Sequence, residues 1–312
     1  MSDFFERIDS IGGDLRTTFR LLLDDVSPMS RGPVLDLYHT YGQGYLDEAT
    51  EFISTMRRRF PRAEDYDHSL EAFGDLVVQY ARLSAVFQKT LDYRSLRSQS
   101  TALDTVSGED YYVQGLMWSY LFWFNHYNLR RFFRERVLNG SFPTKDYLEI
   151  GPGHGLFLAD ALRADETRAA CACDLNPKAV AFAAETLERL GLNSGRVELV
   201  AGDCLARSFP VLYDLCVLVE VLEHVSSPAT LLSRAVTLTK PGGRIFLTTV
   251  TNVPFVDHVY QFRHPDEIRR LIETAGLRME AECVERVYNS PESQNAFDYF
   301  GLCRVDSVNG SR

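Results

Sequence analysis

Leu148-Glu149-Ile150-Gly151-Pro152-Gly153-His154-Gly155 joins a short apolar run, Tyr147–Ile150, to a helical pattern that starts at Leu156. Glycines at alternate positions let the backbone turn sharply and let a ligand approach main-chain atoms that a Cβ would block. Amides at the start of the following helix face that ligand. The spacing is G-x-G-x-G, not the G-x-G-x-x-G of dinucleotide folds, and Glu149 precedes it. A carboxylate in this place repels a pyrophosphate and suits a cofactor that carries positive charge.

Outward from this loop the second half of the chain alternates short β-rich runs with helices. The runs read as strands are Tyr147–Ile150, Ala169–Cys173, Val197–Val200, Leu215–Val219, Arg244–Val250, Met279–Val287 and Phe297–Arg304. Asn176-Pro177 caps and opens one helix, which Gly191 ends, and His264-Pro265-Asp266 opens another, followed by Gly276. The alternation predicts an α/β fold, a doubly wound, mostly parallel sheet of seven strands with right-handed crossovers. No obvious helix joins the last two runs, so they are expected to form an antiparallel pair at an edge. This domain is read as residues 140–312.

Asp174 ends the second run, where a carboxylate can take both ribose hydroxyls of an adenosine. Asp203 ends the third, within Ala201-Gly202-Asp203-Cys204, where an adenine edge could be read. Five blocks in order, LEIGPGHG at 148–155, CDLNP at 173–177, AGDC at 201–204, VEVLEHV at 219–225 and KPGGRIFLTTV at 240–250, resemble a class I S-adenosylmethionine-dependent methyltransferase over about residues 140–306. The resemblance implies S-adenosyl-L-methionine as cofactor. It also implies a binding set of Glu149, Gly151, Gly153, Gly155, Asp174, Leu175, Asp203, Cys204 and Glu220. The stretch Glu220-Val221-Leu222-Glu223-His224 is similar to the segment after the fourth strand in ubiquinone-type O-methyltransferases. Two rival readings stay open, an NAD-dependent oxidoreductase and a non-catalytic methyltransferase-like partner subunit. Glycine spacing and Glu149 argue against the first, and the intact cofactor positions against the second.

Methyl transfer from a sulfonium is mainly a matter of alignment, to which a base near neutral pKa adds ~10²–10⁴-fold. Histidine is the natural candidate. His224 follows the fourth strand, and His258 lies with Tyr260 in the loop after the fifth, so these three are the catalytic candidates. His154 is read as shaping the glycine loop and His264 as a helix-entry residue. Glu220, Glu223 and His224 also form a carboxylate–imidazole cluster. The expectation, though, is that Glu220 faces the cofactor and Glu223 serves the following helix, with no metal. No G-x-S-x-G elbow offers a serine nucleophile.

Residues 1–139 read as an all-helical domain of five or six helices, cut by turn signals at Ser27-Pro28, Arg31-Gly32-Pro33 and Ser107-Gly108. The last helix, about Asp110 to Val137, carries aromatics all round, as a packing helix or as part of an aromatic pocket wall. This half is expected to cap the cofactor domain, bind the acceptor or dimerise. At 312 residues and a net charge of −10 the composition is globular, and the acidic balance disfavours nucleic acid. No run reaches the ~20 apolar residues of a membrane span, and the start Met1-Ser2-Asp3-Phe4 lacks a signal-peptide pattern. Six cysteines without a CxxC pair fit a reducing cytoplasm. The expected activity is methylation of a small or medium-sized biosynthetic metabolite, or of a peptide-like substrate. O-methylation of an apolar or aromatic acceptor comes first, with C-, N- or peptide-carboxylate methylation as alternatives and a homodimer as one expected assembly.

Overall fold

The computed structural model describes residues 2–97, 109–166, 168–193, 195–288, 290 and 294–306. The Ser107-Gly108 turn signal lies outside them. By compactness the chain divides into two units, one of residues 1–82 and 101–130, the other of residues 83–100 and 131–312.

The second unit is built on one seven-stranded sheet. Its strands are β1 (Asp146–Ile150), β2 (Ala169–Asp174), β3 (Val197–Ala201), β4 (Tyr213–Leu218), β5 (Thr239–Thr251), β6 (Leu277–Arg286) and β7 (Phe297–Val305). Their order is β3-β2-β1-β4-β5-β7-β6. Pairs from β3 to β5 are parallel, and β7 runs antiparallel between β5 and β6. The expected antiparallel pair is present, with β6 outermost.

Register divides the sheet into two faces, because paired residues project to the same side. Leu148, Cys216 and Ile245 share one face, packed with Leu231, Leu232 and Ala235, Ile268 and Ile272, and Cys303. Tyr147, Glu149, Val217 and Phe246 share the other. There Phe133 meets Phe157 at 5.0 Å and Phe246 at 5.3 Å between ring centroids. Each such fully buried aromatic contributes roughly 1.5–3 kcal/mol of transfer free energy. All six cysteines are free thiols, five of them buried.

Helix ends in this unit follow local chemistry. Asn176 Oδ1 accepts from Lys178 N at 3.0 Å before the helix Pro177–Arg189. His264 Nδ1 accepts from Asp266 N at 3.2 Å before Pro265–Thr274, so His264 is a capping residue.

The first unit is helical, with Ser2–Ile11, Gly13–Arg20, Arg31–Tyr41, Gln43–Arg59, the start of Ala63–Thr90, and Glu109–Phe122. Its core centres on Trp118, whose indole N–H donates to Ser69 Oγ at 2.9 Å and whose ring stacks on Phe122. The single helix expected over Asp110–Val137 is in fact three pieces. Glu109–Phe122 and Phe124–Phe132 are α-helical, Trp123 is a bend between them, and Phe133–Leu138 is π-helical. Apolar residues on every side give the periodicity no phase, so nothing in the pattern marks the break.

Among the described residues no helix is long and apolar enough to cross a membrane.

Candidate active site

The C-terminal ends of β1 to β5 and the start of β7 meet along one crest of the sheet, the edge where open α/β sheets bind ligands. At the end of β1 the glycine loop turns with φ of 74°, 49° and 76° at Gly151, Gly153 and Gly155. The three glycines hold the loop for different reasons. A Cβ on Gly151 would lie 2.7 Å from Val221 Cγ2, whereas one on Gly153 would meet no atom within 4 Å. Gly153 therefore borders open space, the cradle that a bound group would fill. His154 is buried, and its Nδ1 accepts from Leu156 N at 3.1 Å, which shapes the loop.

Glu149 is 1% exposed, and Tyr147 Oη donates to its Oε2 at 2.6 Å. Burial pushes its carboxyl up to about 8, with smaller contributions from Asp160 and Asp174. Such a group charges readily only when a cation arrives beside it. At the end of β2, Asp174 Oδ1 accepts from the Asn176 amide at 2.9 Å with the Gly153 amide also favouring its charged form, and Gly151 N donates to Cys173 O at 2.9 Å, which ties the glycine loop to the neighbouring strand. The Asp174 carbonyl accepts from Gly202 N at 2.8 Å. Leu175 stands 70% exposed beside it. Asp203 is also exposed, its Oδ1 accepting from Leu205 N at 2.8 Å. Cys204 is different: its side chain lies in the core with Cys173, and burial raises the thiol to about 11. Any contact of Cys204 with a ligand would therefore run through its main chain.

The end of β4 is strained. Glu220 has φ 52°, as do Asn252 (51°) and Asn295 (49°) at the neighbouring strand ends. Each costs of order 1–3 kcal/mol and is held by its surroundings. For Glu220 the holder is Thr248, which accepts from the Glu220 amide at 2.9 Å and donates to Glu220 Oε1 at 2.6 Å. Burial and then Glu223 raise the Glu220 carboxyl well above the usual range. Glu223 accepts from Thr249 Oγ1 at 2.7 Å, and its carbonyl accepts from Val259 N at 2.8 Å and Tyr260 N at 2.9 Å. It pins the loop after β5, therefore, and not the helix that follows it in sequence.

That loop brings His258 to His224, with ring centroids 5.0 Å apart. His258 Nδ1 donates to Val253 O at 2.8 Å, leaving Nε2 as the acceptor. Burial and then His224 depress its pKa to about 4. His224 Nδ1 lies 3.4 Å from Asp257 Oδ2, and its Nε2 lies 3.9 Å from Glu223 Oε1. Glu223 Oε1 is buried with no hydrogen-bond partner among the described residues. One ligand atom each from Glu223, His224 and His258 lies within 4.8 Å of the others, a donor set that could hold a divalent ion. The third catalytic candidate, Tyr260, is joined to this cluster only by its backbone. Its ring is exposed and lies 4.7 Å from Phe262.

Several partners in this site escape a motif reading. Tyr147 is two residues before Glu149, so strand alternation alone puts both on one face. Thr248, Thr249 and Asp257 carry no such signal. Gln261 is another: its Nε2 donates to Leu91 O at 3.0 Å and Asn252 Oδ1 at 2.8 Å, while its Oε1 accepts from Tyr93 N at 3.2 Å. This amide fastens the loop after β5 to residues 91–93.

Comparison with known proteins agrees with this architecture. A family model described as a methyltransferase domain matches residues 117–303, more than half of the chain. The ubiquinone biosynthesis O-methyltransferase of Burkholderia pseudomallei is 30% identical over 162 residues, 44% of this chain and 66% of that protein. Its namesake from Thiobacillus denitrificans is 31% identical over 164 residues, 46% of this chain and 69% of that protein. Thus the chain spans about two thirds of the length of these relatives. Among solved structures, an O-methyltransferase family protein from Burkholderia thailandensis superposes with a TM-score of 0.52 at 17% identity, covering 78% of this chain and 73% of that one. The last likeness concerns the fold alone. The glycine crest and the family match lead to one conclusion: the chain belongs to the methyltransferase-domain family, that of the class I S-adenosylmethionine-dependent methyltransferases.

Proposed function

We propose that the protein methylates a hydroxyl group of a small or medium-sized, apolar or aromatic metabolite, with S-adenosyl-L-methionine as donor. The observation that carries the reading is the buried Glu149 beside an open glycine cradle, which the bond from Gly151 N to Cys173 O ties to β2 next to Asp174. These residues fit the cofactor. Glu149 would hold the ammonium, Asp174 the ribose hydroxyls, and the Asp203–Leu205 turn, with Leu175, would border the adenine. When bound, the cofactor supplies a methyl group on a positively charged sulfur, which an acceptor oxygen displaces.

The chain's own contribution is alignment and proton handling. Positioning of this kind supplies ~7–11 kcal/mol of a barrier. His224 is the base we favour. Its Nδ1 faces Asp257, which orients the ring as a base needs. His258 is too weakly basic for that role at neutral pH and serves as a neutral hydrogen-bond acceptor. Likeness to ubiquinone biosynthesis O-methyltransferases supports oxygen as the acceptor atom. The cytoplasm is the compartment we propose, on the free thiols.

Titrating S-adenosylhomocysteine and NAD in parallel, with melting temperature as the readout, tests the reading. At 100-fold excess over Kd a ligand adds about 2.7 kcal/mol of stability. A shift with the homocysteine compound and none with NAD is expected; the reverse would replace the methyltransferase reading with an oxidoreductase.

A further inference from the structure

The loop after β5 is closed at its neck. Asn252 N donates to Phe262 O at 3.1 Å, and Thr251 forms a bridge to Phe262. Asn252, at φ 51°, is the knot. Its Nδ2 donates to Arg263 O at 2.9 Å and to Asn295 O at 3.2 Å, and its carbonyl accepts from Gln294 Nε2 at 2.9 Å. Gln261 Nε2 donates to the remaining polar atom, Asn252 Oδ1.

Chemistry fixes which way the Gln261 amide points. Its NH2 group donates to two oxygens, Leu91 O and Asn252 Oδ1, and its own oxygen accepts from Tyr93 N. A flipped amide would set an oxygen against two oxygens and an NH2 against an N–H. One side chain therefore joins the neck of the loop to residues 91–93. Leu91, like Asn252, is a non-glycine residue with positive φ, here 52°. The same amide holds both of these strained residues.

The body of the loop sets two imidazoles. His224 Nδ1 lies 3.2 Å from Asp257 O, and His258 Nδ1 lies 2.8 Å from Val253 O. A carbonyl only accepts, so each Nδ1 carries the proton and each Nε2 keeps its lone pair. For His224 that lone pair is what a base needs. Asp257 keeps this geometry only while the loop is fixed. The loop is held at the Glu223 carbonyl, which takes the Val259 and Tyr260 amides, at its neck, and at residues 91–93. Gln261 serves the last two. Without its amide the loop can rock about Glu223 and carry Asp257 away from His224.

We propose that Gln261 is a positioning residue for methyl transfer, which keeps His224 in the Nδ1–H form by fixing the loop that carries Asp257. This role deepens the proposed mechanism and rests on His224 being its base. It also gives residues 91–93 a part in the site, as the anchor against which the loop is braced.

The experiment uses the full chain with 15N-labelled histidine in alkaline buffer, where imidazoles are neutral. Ring-nitrogen shifts report which nitrogen carries the proton, and the signals lost in His224→Ala assign His224. The wild type should show His224 in the Nδ1–H form. Gln261→Ala should convert a large part of it to the Nε2–H form that a histidine in water prefers, with the melting temperature little changed. Arg263→Ala loses a bond to the same Leu91 carbonyl but none to Asn252 Oδ1, and should leave the spectrum as in the wild type. Gln261→Glu, which keeps the acceptor for Tyr93 N and loses both donors, replaces Gln261→Ala if that chain fails to fold, with the same result expected. A wild-type His224 in the Nε2–H form, a folded Gln261 variant that keeps the Nδ1–H form, or an Arg263→Ala chain that loses it equally would each overturn the inference. A melting shift of the wild type with S-adenosylhomocysteine keeps the two failures apart. If the shift is present while the Gln261 variants keep the wild-type spectrum, only this inference falls; if the shift is missing, the methyltransferase reading falls.

Discussion

Tyr147 and Glu149 stand two residues apart on one face of β1, joined by a 2.6 Å hydrogen bond in which the phenol donates to a carboxyl that water scarcely reaches. This pair makes cofactor binding sensitive to pH. Glu149 keeps its proton up to about 8, while a carboxyl in the unfolded chain loses its own near the ordinary value of 4.5. Between those values the ligand-free fold binds more protons than the unfolded chain, so its stability falls as pH rises and levels off above 8. A ligand ammonium needs the charged carboxylate. Affinity for S-adenosylhomocysteine should therefore rise with pH, by up to about tenfold per unit below 8. Calorimetric titration across that range checks the slope, which Glu149→Gln should flatten.

The three loop glycines should not respond alike. Gly153→Ala adds a methyl group to open space at φ 49°. It should cost only about 1–2 kcal/mol of stability, yet weaken S-adenosylhomocysteine by tenfold or more. Gly151→Ala pushes a methyl to 2.7 Å from Val221 and should lower the melting temperature further. Denaturant unfolding and ligand titration on both variants distinguish the two effects.

Asp174→Ala removes the acceptor for the Asn176 amide together with the proposed ribose contact. Affinity for S-adenosylhomocysteine should drop below detection in the same titration. Asp174→Asn keeps one acceptor oxygen and should retain part of the loop's order, with intermediate affinity. An alanine variant that binds as the wild type does would remove Asp174 from the site.

His224→Ala should slow methyl transfer by ~10²–10⁴-fold while leaving S-adenosylhomocysteine affinity within a factor of two or three. Single-turnover kinetics with a competent acceptor separates chemistry from binding. Loss of affinity in place of rate would turn His224 from a base into a structural partner of Glu223 and Asp257.

Trp118→Ala in the helical unit empties a large, fully buried volume and removes the indole donor to Ser69 Oγ. The substitution should cost ~3–5 kcal/mol in denaturant unfolding.

Much of the fold is legible along the chain because its signals are local. All seven strands lie where β-rich runs end in turn residues, and Asn176-Pro177 and His264-Pro265 mark helix starts through their own side chains. Strand-end positions 149, 151, 174 and 203 follow from the same winding. What the pattern cannot carry is nonlocal. Glu223 and His258 come together only through the carbonyl of Glu223 and the amides of Val259 and Tyr260, a bond across thirty-odd residues. Cys204 has the right position, but its side chain falls on the core side of the loop. The bend at Trp123 hides in a segment apolar on all sides, where the periodicity has no phase to break.

The antiparallel β7 lies between β5 and β6. During synthesis, then, β6 leaves the ribosome before the strand it must pair with exists. Until β7 inserts, both β5 and β6 present open hydrogen-bonding edges that could recruit other chains. A break anywhere between Arg286 and Phe297 would cost the sheet two strands, not one. Completion of the crest, with Asn295 and the start of β7, is thus coupled to the last step of sheet assembly. A half-made chain cannot present a finished catalytic edge.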